Sequence, residues 1–388
     1  MTRLAHAVAA TLAFIVVSLF ALPAWSLPRF ALREGVPCST CHVNPSGGGM
    51  RNAYGRYVYG PTRLPLGFPG SRERAPQLDL GDTLAFGADA RTAYIDQRPK
   101  TGEGLRTFFQ MQADLYVAAR VFDGLTLYYD QGAYGSFEAI ALYQKPLTDW
   151  ASVYVKAGRF MPTYGLRLEN HNLWIRQDIG YGPRDKEQGV EVGAQIAPFL
   201  VQVGLLNGVP GERQLDDNKG KAFVARVEAL GRLGPLRLMF GGSYYRNQTG
   251  VKSDASGKTV DGRSNLWRAG LFGGASLGRF TYLAEADLVR LEPFSANKTD
   301  SKSYSFQSHQ ELDVLVVRGL ELTFNFEYRE PDLDTKSGSM RRVALGFEVY
   351  PMPNLELKAL YRHVWGKGPA SRSLDGLSEY IAMAHVFF

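Results

Sequence analysis

The sequence predicts an all-β protein, a 16-stranded antiparallel transmembrane β-barrel with a small segment ahead of it. Three observations predict this fold. Apolar and polar residues alternate along many short stretches, the connections between the stretches are alternately tight and long, and no apolar run beyond residue 26 has the length of a membrane-spanning helix. A hydrophobic fraction of 45% over 388 residues excludes a wholly disordered chain.

Residues 1–26 are predicted to be a signal peptide. Arg3 precedes an apolar run from Ala7 to Ala21, and Ala24 and Ser26 supply the small side chains that a signal peptidase reads. A membrane anchor is the alternative, but the run is shorter than the roughly 20 residues that a spanning helix needs. The mature chain is therefore expected to begin near Leu27.

The first functional motif lies at residues 38–42, which read C-S-T-C-H. Cys38 and Cys41 are the only two cysteines of the chain. In an exported protein such a pair suits a disulfide, a redox dithiol or half of a zinc site. The adjacent His42 favours a c-type haem, because thioether bonds from both thiols would hold the imidazole at the iron. We therefore predict one covalent haem c, with His42 as the proximal iron ligand.

Residues 27–77 form the predicted haem segment. A segment of this size cannot build a large core alone, so a haem would have to replace the missing apolar surface. Its basic residues outnumber its acidic ones, with Arg29, Arg33, Arg51, Arg56, Arg63, Arg72 and Arg74 against Glu34 and Glu73. This charge predicts a plug that meets an acidic barrel wall and the haem propionates. A periplasmic appendage is the alternative.

Residues 78–388 are predicted to form the barrel. In each stretch one set of alternate residues, here called a parity, is apolar and the other set is mixed or charged. This is the pattern of a strand with one face toward lipid and one toward water. The predicted strands are 78–94, 104–119, 123–132, 136–144, 151–159, 188–197, 199–206, 221–230, 235–245, 264–275, 278–290, 304–317, 320–329, 341–350, 353–363 and 376–388. Connections are tight after even-numbered strands and mostly long after odd-numbered ones, which predicts both termini on the periplasmic side.

Strand parity also predicts the lining of the lumen. Acidic residues outnumber basic ones there, with Asp114, Glu285, Asp287, Glu311, Asp313, Glu321, Glu327 and Glu348 against Arg106, Lys156, Arg226 and Arg342. Most of these acids lie on predicted strands eleven to fourteen. Such a cluster is expected to receive the basic segment or to attract cations such as Fe(II).

Two residues are the main candidates for the sixth position of the haem iron. Met50 is the sole methionine of the haem segment. His171 lies in the long connection after predicted strand five, which is the third external loop, and this loop commonly folds into the channel in porins. His309 and His385 share the inward parity of their strands and are further candidates. An open or weakly held sixth position is the remaining alternative.

Three features carry a resemblance to a known family. They are C-x-x-C-H at residues 38–42, the aromatic and glycine stretch "NAYGRYVYG" that follows it, and a barrel that ends at Phe388 on the lipid-facing parity. In this layout the mature chain resembles the fused monohaem cytochrome-porins of bacterial outer membranes, whose best-known members are iron oxidases. The terminal aromatic also resembles the signal read by the outer-membrane insertion machinery. The family resemblance implies electron transfer across the outer membrane.

The functional prediction is therefore an electron conduit, with Fe(II) oxidation as the enzyme activity that it would perform. Electrons would pass from extracellular Fe(II) through haem c to a soluble periplasmic cytochrome or other carrier, and export to an extracellular acceptor is the reverse alternative. A solute or ion porin with a haem-bearing or dithiol appendage is the alternative from another class. Outer-membrane lipid is expected around the barrel, and no nucleic-acid partner is expected.

Overall fold

The protein is described by a computed structural model over most of its length. The described residues are 29–67, 78–133, 137–168, 170, 172–177, 185–209, 216, 219–253, 259–293, 302–336, 338–367 and 374–388. The predicted signal peptide at residues 1–26 lies outside this part of the chain.

Sixteen long strands form one antiparallel sheet that closes on itself, as the sequence predicts. They are β1 Leu84–Arg98, β2 Leu105–Phe122, β3 Leu125–Gly132, β4 Phe137–Thr148, β5 Ala151–Phe160, β6 Glu187–Ile196, β7 Phe199–Leu206, β8 Ala222–Leu233, β9 Leu236–Ser253, β10 Thr259–Leu277, β11 Phe280–Glu292, β12 Ser303–Val317, β13 Leu320–Glu330, β14 Met340–Met352, β15 Leu355–Gly366 and β16 Ser378–Phe387. Each strand pairs with its neighbours in sequence, and β16 pairs with β1 to close the barrel. A short strand, Asp79–Leu80, leads into β1.

The two rims of the barrel differ in their connections. After β2, β4, β6, β8, β10, β12 and β14 only two residues separate one strand from the next, and the connections on the other rim are longer. Four of these turns contain a glycine with positive φ, and Asn354 adopts φ 69° in the last one. Such residues suit two-residue hairpins because their twist matches that of the strands. The predicted sorting into a short-turn rim and a long-loop rim is confirmed.

Several predicted strand ends are wrong, most of all in the β9–β10 hairpin. The prediction ended strand nine at residue 245 and began strand ten at 264, whereas the ladder continues to Ser253 and resumes at Thr259. The added residues carry no apolar face. Backbone hydrogen bonds and polar contacts such as that of Gln248 with Asn265 hold this extension, so hydrophobic alternation cannot reveal it.

The barrel wall alternates between an outward apolar face and an inward polar face. Along β7 every second residue is exposed and every second one is buried. Large apolar side chains such as Phe240, Leu271 and Leu345 remain 60 to 64% exposed on the outside. This band is the surface that lipid covers in transmembrane barrels. None of the helices in the described part of the chain has the length and apolar character that a membrane-spanning helix requires.

Residues 29–67, here called the plug, lie inside the barrel toward the short-turn rim. The plug contains α1 Arg29–Glu34, α2 Cys38–Cys41, a π-helical turn Gly55–Tyr59 and α3 Gly60–Arg63. Its apolar residues join three clusters of the wall through Leu32, Met50 and Leu64. Burying each such side chain contributes about 1.5–3 kcal/mol, so the plug has apolar anchors of its own.

Candidate functional site

The C-x-x-C-H motif forms one helical turn that faces a cavity inside the barrel. Pro37 precedes α2 in an extended conformation, and the His42 N–H donates to the carbonyl oxygen of Cys38 at 2.9 Å. His42 then leaves the helix and forms an antiparallel bridge with Arg51. Cys38, Cys41 and His42 all line the same cavity. The structure thus brings together the three residues predicted to hold haem c.

Asn52 ties the motif to the helical turn that follows. Its Nδ2 donates to the carbonyl oxygens of Ser39 and Thr40 at 2.9 and 3.0 Å, and its Oδ1 accepts from the Gly55 N–H at 3.0 Å. One side chain therefore satisfies the end of α2 and the start of the next turn. Gly55 is required because a Cβ atom there would overlap the carbonyl oxygen of Cys41. The aromatic and glycine stretch after the motif thus packs directly on it.

The loop between His42 and Asn52 presses against the barrel wall. Gly47, Gly48 and Gly49 have φ of 81°, 73° and 60°, a region in which other residues are strained. A Cβ atom at Gly49 would overlap the hydroxyl of Tyr128 on β3. That hydroxyl accepts a hydrogen bond of 3.2 Å from the Met50 N–H. The glycine run therefore allows a close backbone approach that places the loop on the wall.

A buried polar network fixes the same loop to β5 and β6. The Ser46 hydroxyl donates to Glu191 at 3.1 Å and accepts from the Lys156 Nζ at 2.8 Å. Lys156 and Glu191 also form an ion pair of 2.9 Å, and both side chains are fully buried. Because each charge has a partner, the network avoids the cost of an isolated buried ion. Lys156 was one of the basic residues predicted to face the lumen.

Helix α1 places two arginines on the acidic wall. Arg29 donates to Asp313 on β12 at 3.3 Å and also pairs with Glu348 on β14. Arg33 donates with two nitrogens to Glu321 on β13, at 2.6 and 3.2 Å. All three carboxylates are at most 3% exposed. The basic segment was expected to meet the acids of strands eleven to fourteen, and these pairs confirm the expectation for strands twelve to fourteen.

The connection between β5 and β6, residues 161–186, folds into the lumen and is here called the inward loop. The Tyr164 hydroxyl donates to Asp287 on β11 at 2.8 Å. Further along, α4 Trp174–Gln177 begins with an N–H that donates to Glu327 on β13 at 2.8 Å. Arg342 pairs with Glu327 through two bonds of 2.7 Å and stacks on the Trp174 ring. The predicted inward folding of the third external loop is confirmed over its described residues.

A cavity of about 660 Å³ lies between the plug, the inward loop and the wall. This volume falls in the range of small-molecule and cofactor sites, roughly 300–1,000 Å³. The plug contributes the two thiols and the imidazole, the inward loop contributes residues 161–168, and the wall contributes residues from strands around the barrel. The motif therefore opens into space that protein encloses from three directions.

Burial sets the protonation state of the motif. Burial together with the positive charges of Arg51 and Arg167 lowers the pKa of His42 to about 4. The imidazole is therefore neutral near pH 7, the form that binds metals. Its Nδ1 atom is buried without a hydrogen-bond partner among the described residues. Burial also raises the pKa of the Cys41 thiol to about 11.

These features fit a covalent haem. Two thiols spaced for thioether bonds, a neutral imidazole with an unsatisfied nitrogen and a cofactor-sized cavity occur at one place. Arg51, stacked on Phe387 with 3.8 Å between its guanidinium carbon and the ring centroid, and Arg167 supply positive charge that suits propionate carboxylates.

The two predicted sixth-ligand candidates have different surroundings. The Met50 side chain is 1% exposed and packs with Tyr116 and Tyr128 in a cluster of the wall. His171 lies outside the described residues, but its neighbour Asn170 lines the cavity. Of the other histidines, His309 is fully buried, and His385 is held by Glu356 and Asp89 at 2.9 and 3.2 Å.

Sequence reasoning missed part of the cavity lining. Met111 and Met239 both reach the cavity, and neither was a candidate. Met239 follows the inward parity of β9, so parity could have found it. Met111 is the unpaired residue of a β-bulge in β2, where Gln110 and Gln112 pair with consecutive residues of β1. A bulge breaks the parity rule, so no sequence signal places Met111.

Comparison with known proteins supports the barrel. No protein-family model and no curated protein matches the chain. Among solved structures, OmpT of Vibrio cholerae aligns with a TM-score of 0.58 and 14% identity, over 80% of this chain and 100% of that one. OprB of Pseudomonas putida aligns with a TM-score of 0.56 and 10% identity, over 79% and 94%. An anion-selective porin from Comamonas acidovorans gives 0.55 and 10%, over 79% and 99%.

The chain has the fold of bacterial outer-membrane porins. What it shares with these proteins is the barrel, and they are covered almost completely by about four fifths of this chain. The uncovered fifth is about the size of the region ahead of β1. The fold therefore agrees with the predicted outer-membrane location, and the function has to be argued from the plug and the cavity.

Proposed function

We propose that this protein carries electrons across the bacterial outer membrane through one haem c bound to Cys38, Cys41 and His42. The observation that carries the proposal is the position of the C-x-x-C-H motif, which lines a cofactor-sized cavity inside a porin-type barrel. Extracellular Fe(II) is the proposed donor, and a soluble periplasmic cytochrome or similar carrier is the proposed acceptor. Electron export to an extracellular acceptor would use the same residues.

The residues of the chain hold and tune the cofactor. Haem c supplies one-electron redox chemistry when it is bound. Asn52 and Gly55 keep α2 in the geometry that presents both thiols. The plug and the inward loop cover the cavity from two sides, and the positive charges of Arg51 and Arg167 would favour the reduced state of a haem held there. A haem that is easily reduced suits a donor such as Fe(II).

Redox titration of the purified protein tests this function. Protein made with c-type maturation machinery should retain its haem after denaturation, and its absorption spectrum should change from oxidised to reduced when Fe(II) is added. The fitted midpoint potential then states how favourable the inward direction is. A covalent haem that Fe(II) leaves oxidised while dithionite reduces it would discard Fe(II) as the donor and favour export.

The sixth iron position is proposed to be filled by His171, with Met50 as the alternative. His171 is preferred because Asn170 beside it lines the cavity, whereas Met50 packs into the wall. In the same titration His171→Ala should shift the spectrum and the midpoint, and Met50→Leu should leave both unchanged. The opposite result would assign the sixth position to Met50. An unchanged spectrum in both variants would exclude His171 and Met50 and would make Met161, a thioether of the inward loop that also lines the cavity, the next candidate.

The second candidate is a solute or ion porin whose motif segment is an appendage. The porin fold itself favours this reading. Against it, the plug and the inward loop both occupy the lumen and bond to its wall, the plug to Glu321 on β13 and the inward loop to Asp287 on β11. Single-channel conductance separates the two functions, because a porin should show open steps that do not depend on the redox state.

A further inference from the structure

One face of the plug is exposed at the short-turn rim. Tyr54 and Val58 are 43 and 45% exposed there, although both are large and apolar. Their turn lies at this rim because Arg56, between them, donates to Asp79 beside the start of β1 at 2.7 Å. The end of the plug lies at the same rim, where the Leu66 N–H donates to the carbonyl oxygen of Tyr350 at 2.8 Å. A Cβ atom at the next residue, Gly67, would lie 3.0 Å from the side chain of Arg318, which is in a two-residue turn.

This rim is basic. Among the described residues, its exposed basic side chains are Arg63, Arg120, Lys145, Arg232, Arg279 and Arg318, and its exposed acidic side chains are Asp82, Asp123 and Asp149. Arg232 and Arg279 donate to backbone carbonyl oxygens, and these bonds do not neutralise the positive charge of the two arginines. No carboxylate of the described residues pairs with Arg63 or Arg318 within 4 Å. The apolar patch of the plug is therefore surrounded by net positive charge.

The exposed turn is also the part of the surface next to the haem-attachment motif. Tyr54 directly precedes the π-helical turn Gly55–Tyr59 and Val58 lies within it, and Gly55 packs on the backbone of Cys41 without room for a Cβ atom. Only this one turn of helix separates the surface from a predicted thioether position. A redox partner bound here would therefore approach the cofactor more closely than one bound elsewhere on the rim.

We infer that this face, formed by Tyr54, Val58, Arg63 and Arg318, docks a soluble electron carrier through an acidic patch on the carrier. The inference rests on the proposed function and names the charge of the partner. The apolar pair would form the buried centre of the contact, and the arginines would steer the encounter from its edge. Association should then be fast at low ionic strength and should slow as salt screens the charges.

The test measures electron transfer from the reduced haem protein to plastocyanin, an acidic blue-copper protein whose colour bleaches on reduction. The matched probe is plastocyanin whose surface carboxylates have been amidated. We expect the untreated probe to react about tenfold faster at low salt, with the difference shrinking as salt is added. The double variant Arg63→Glu/Arg318→Glu should lose this advantage, and Arg63→Gln/Arg318→Gln should lose part of it.

Lys100→Glu is the control, because Lys100 is an exposed cation on the long-loop rim. It should react like the unaltered protein. Equal rates for the two probes, or equal rates for the Arg63/Arg318 variants and the Lys100 variant, would overturn the docking surface. The haem spectrum recorded before mixing separates the two proposals, since absence of a reducible covalent haem would instead refute the proposed function.

Discussion

Replacing Cys38 and Cys41 together with alanine should abolish covalent haem attachment while the barrel still folds. Both thiols line the cavity, and no other cysteine exists in the chain to replace them. The barrel should still fold around the plug, because the plug has anchors that do not depend on haem, in Leu32, Leu64 and the ion pairs of α1. Haem staining after denaturing electrophoresis measures attachment, and the heat-dependent shift in mobility measures barrel folding.

The matched control changes Ser39 and Thr40, which lie between the two cysteines, to alanine. Their backbone carbonyls hold Asn52, and their side chains are not needed for that contact, so haem attachment should persist. Retention of covalent haem by the double cysteine variant would contradict the site. Loss of the folded barrel in that variant would show instead that the plug depends on its cofactor.

The second large effect is expected from Arg29→Ala combined with Arg33→Ala, which should release the plug and open the lumen. The change leaves Asp313, Glu321 and Glu348 without two of their counter-charges in a buried site. Breaking a buried pair by removing one partner costs about 3–5 kcal/mol. In planar bilayers the variant should conduct in large steps, whereas the unaltered protein should conduct poorly.

Arg98→Ala combined with Arg106→Ala is the control for this experiment. These arginines also pair with an acid, Asp96, but they are 54 and 67% exposed, and such pairs contribute about 0–1 kcal/mol. The control should conduct like the unaltered protein. Equal conductance in the two double variants would mean that α1 does not hold the plug, and a large conductance without any substitution would favour the porin function.

The barrel could be predicted because its signals are local. Alternation along β7 and the tight turns at Gly124 or Gly234 follow from a few neighbouring residues. The ends of β9 and β10 could not be predicted, because a hairpin that extends past the apolar band is held by backbone hydrogen bonds and polar side-chain contacts, without an apolar face.

The candidate site was predictable only in part, for a related reason. The C-x-x-C-H spacing identifies Cys38, Cys41 and His42 without any structure. The partners of the plug depend on register, which brings Asp313, Glu321 and Glu348 side by side from three strands. Parity could indicate that each of these acids faces inward, but it could not assign Arg29 or Arg33 to them. Long-range register is set by the closed sheet as a whole.

The measurement that tests the central claim most directly is electron transfer across a sealed vesicle that contains the protein. Fe(II) is added outside, ferricytochrome c is trapped inside because it is too large for the lumen, and entrapped calcein reports any iron that enters by loss of fluorescence. The account predicts reduction of the trapped cytochrome without calcein quenching, and no reduction with the double cysteine variant. Reduction that appears only together with quenching, and equally in the cysteine variant, would show that iron itself crosses the barrel and would contradict the electron conduit.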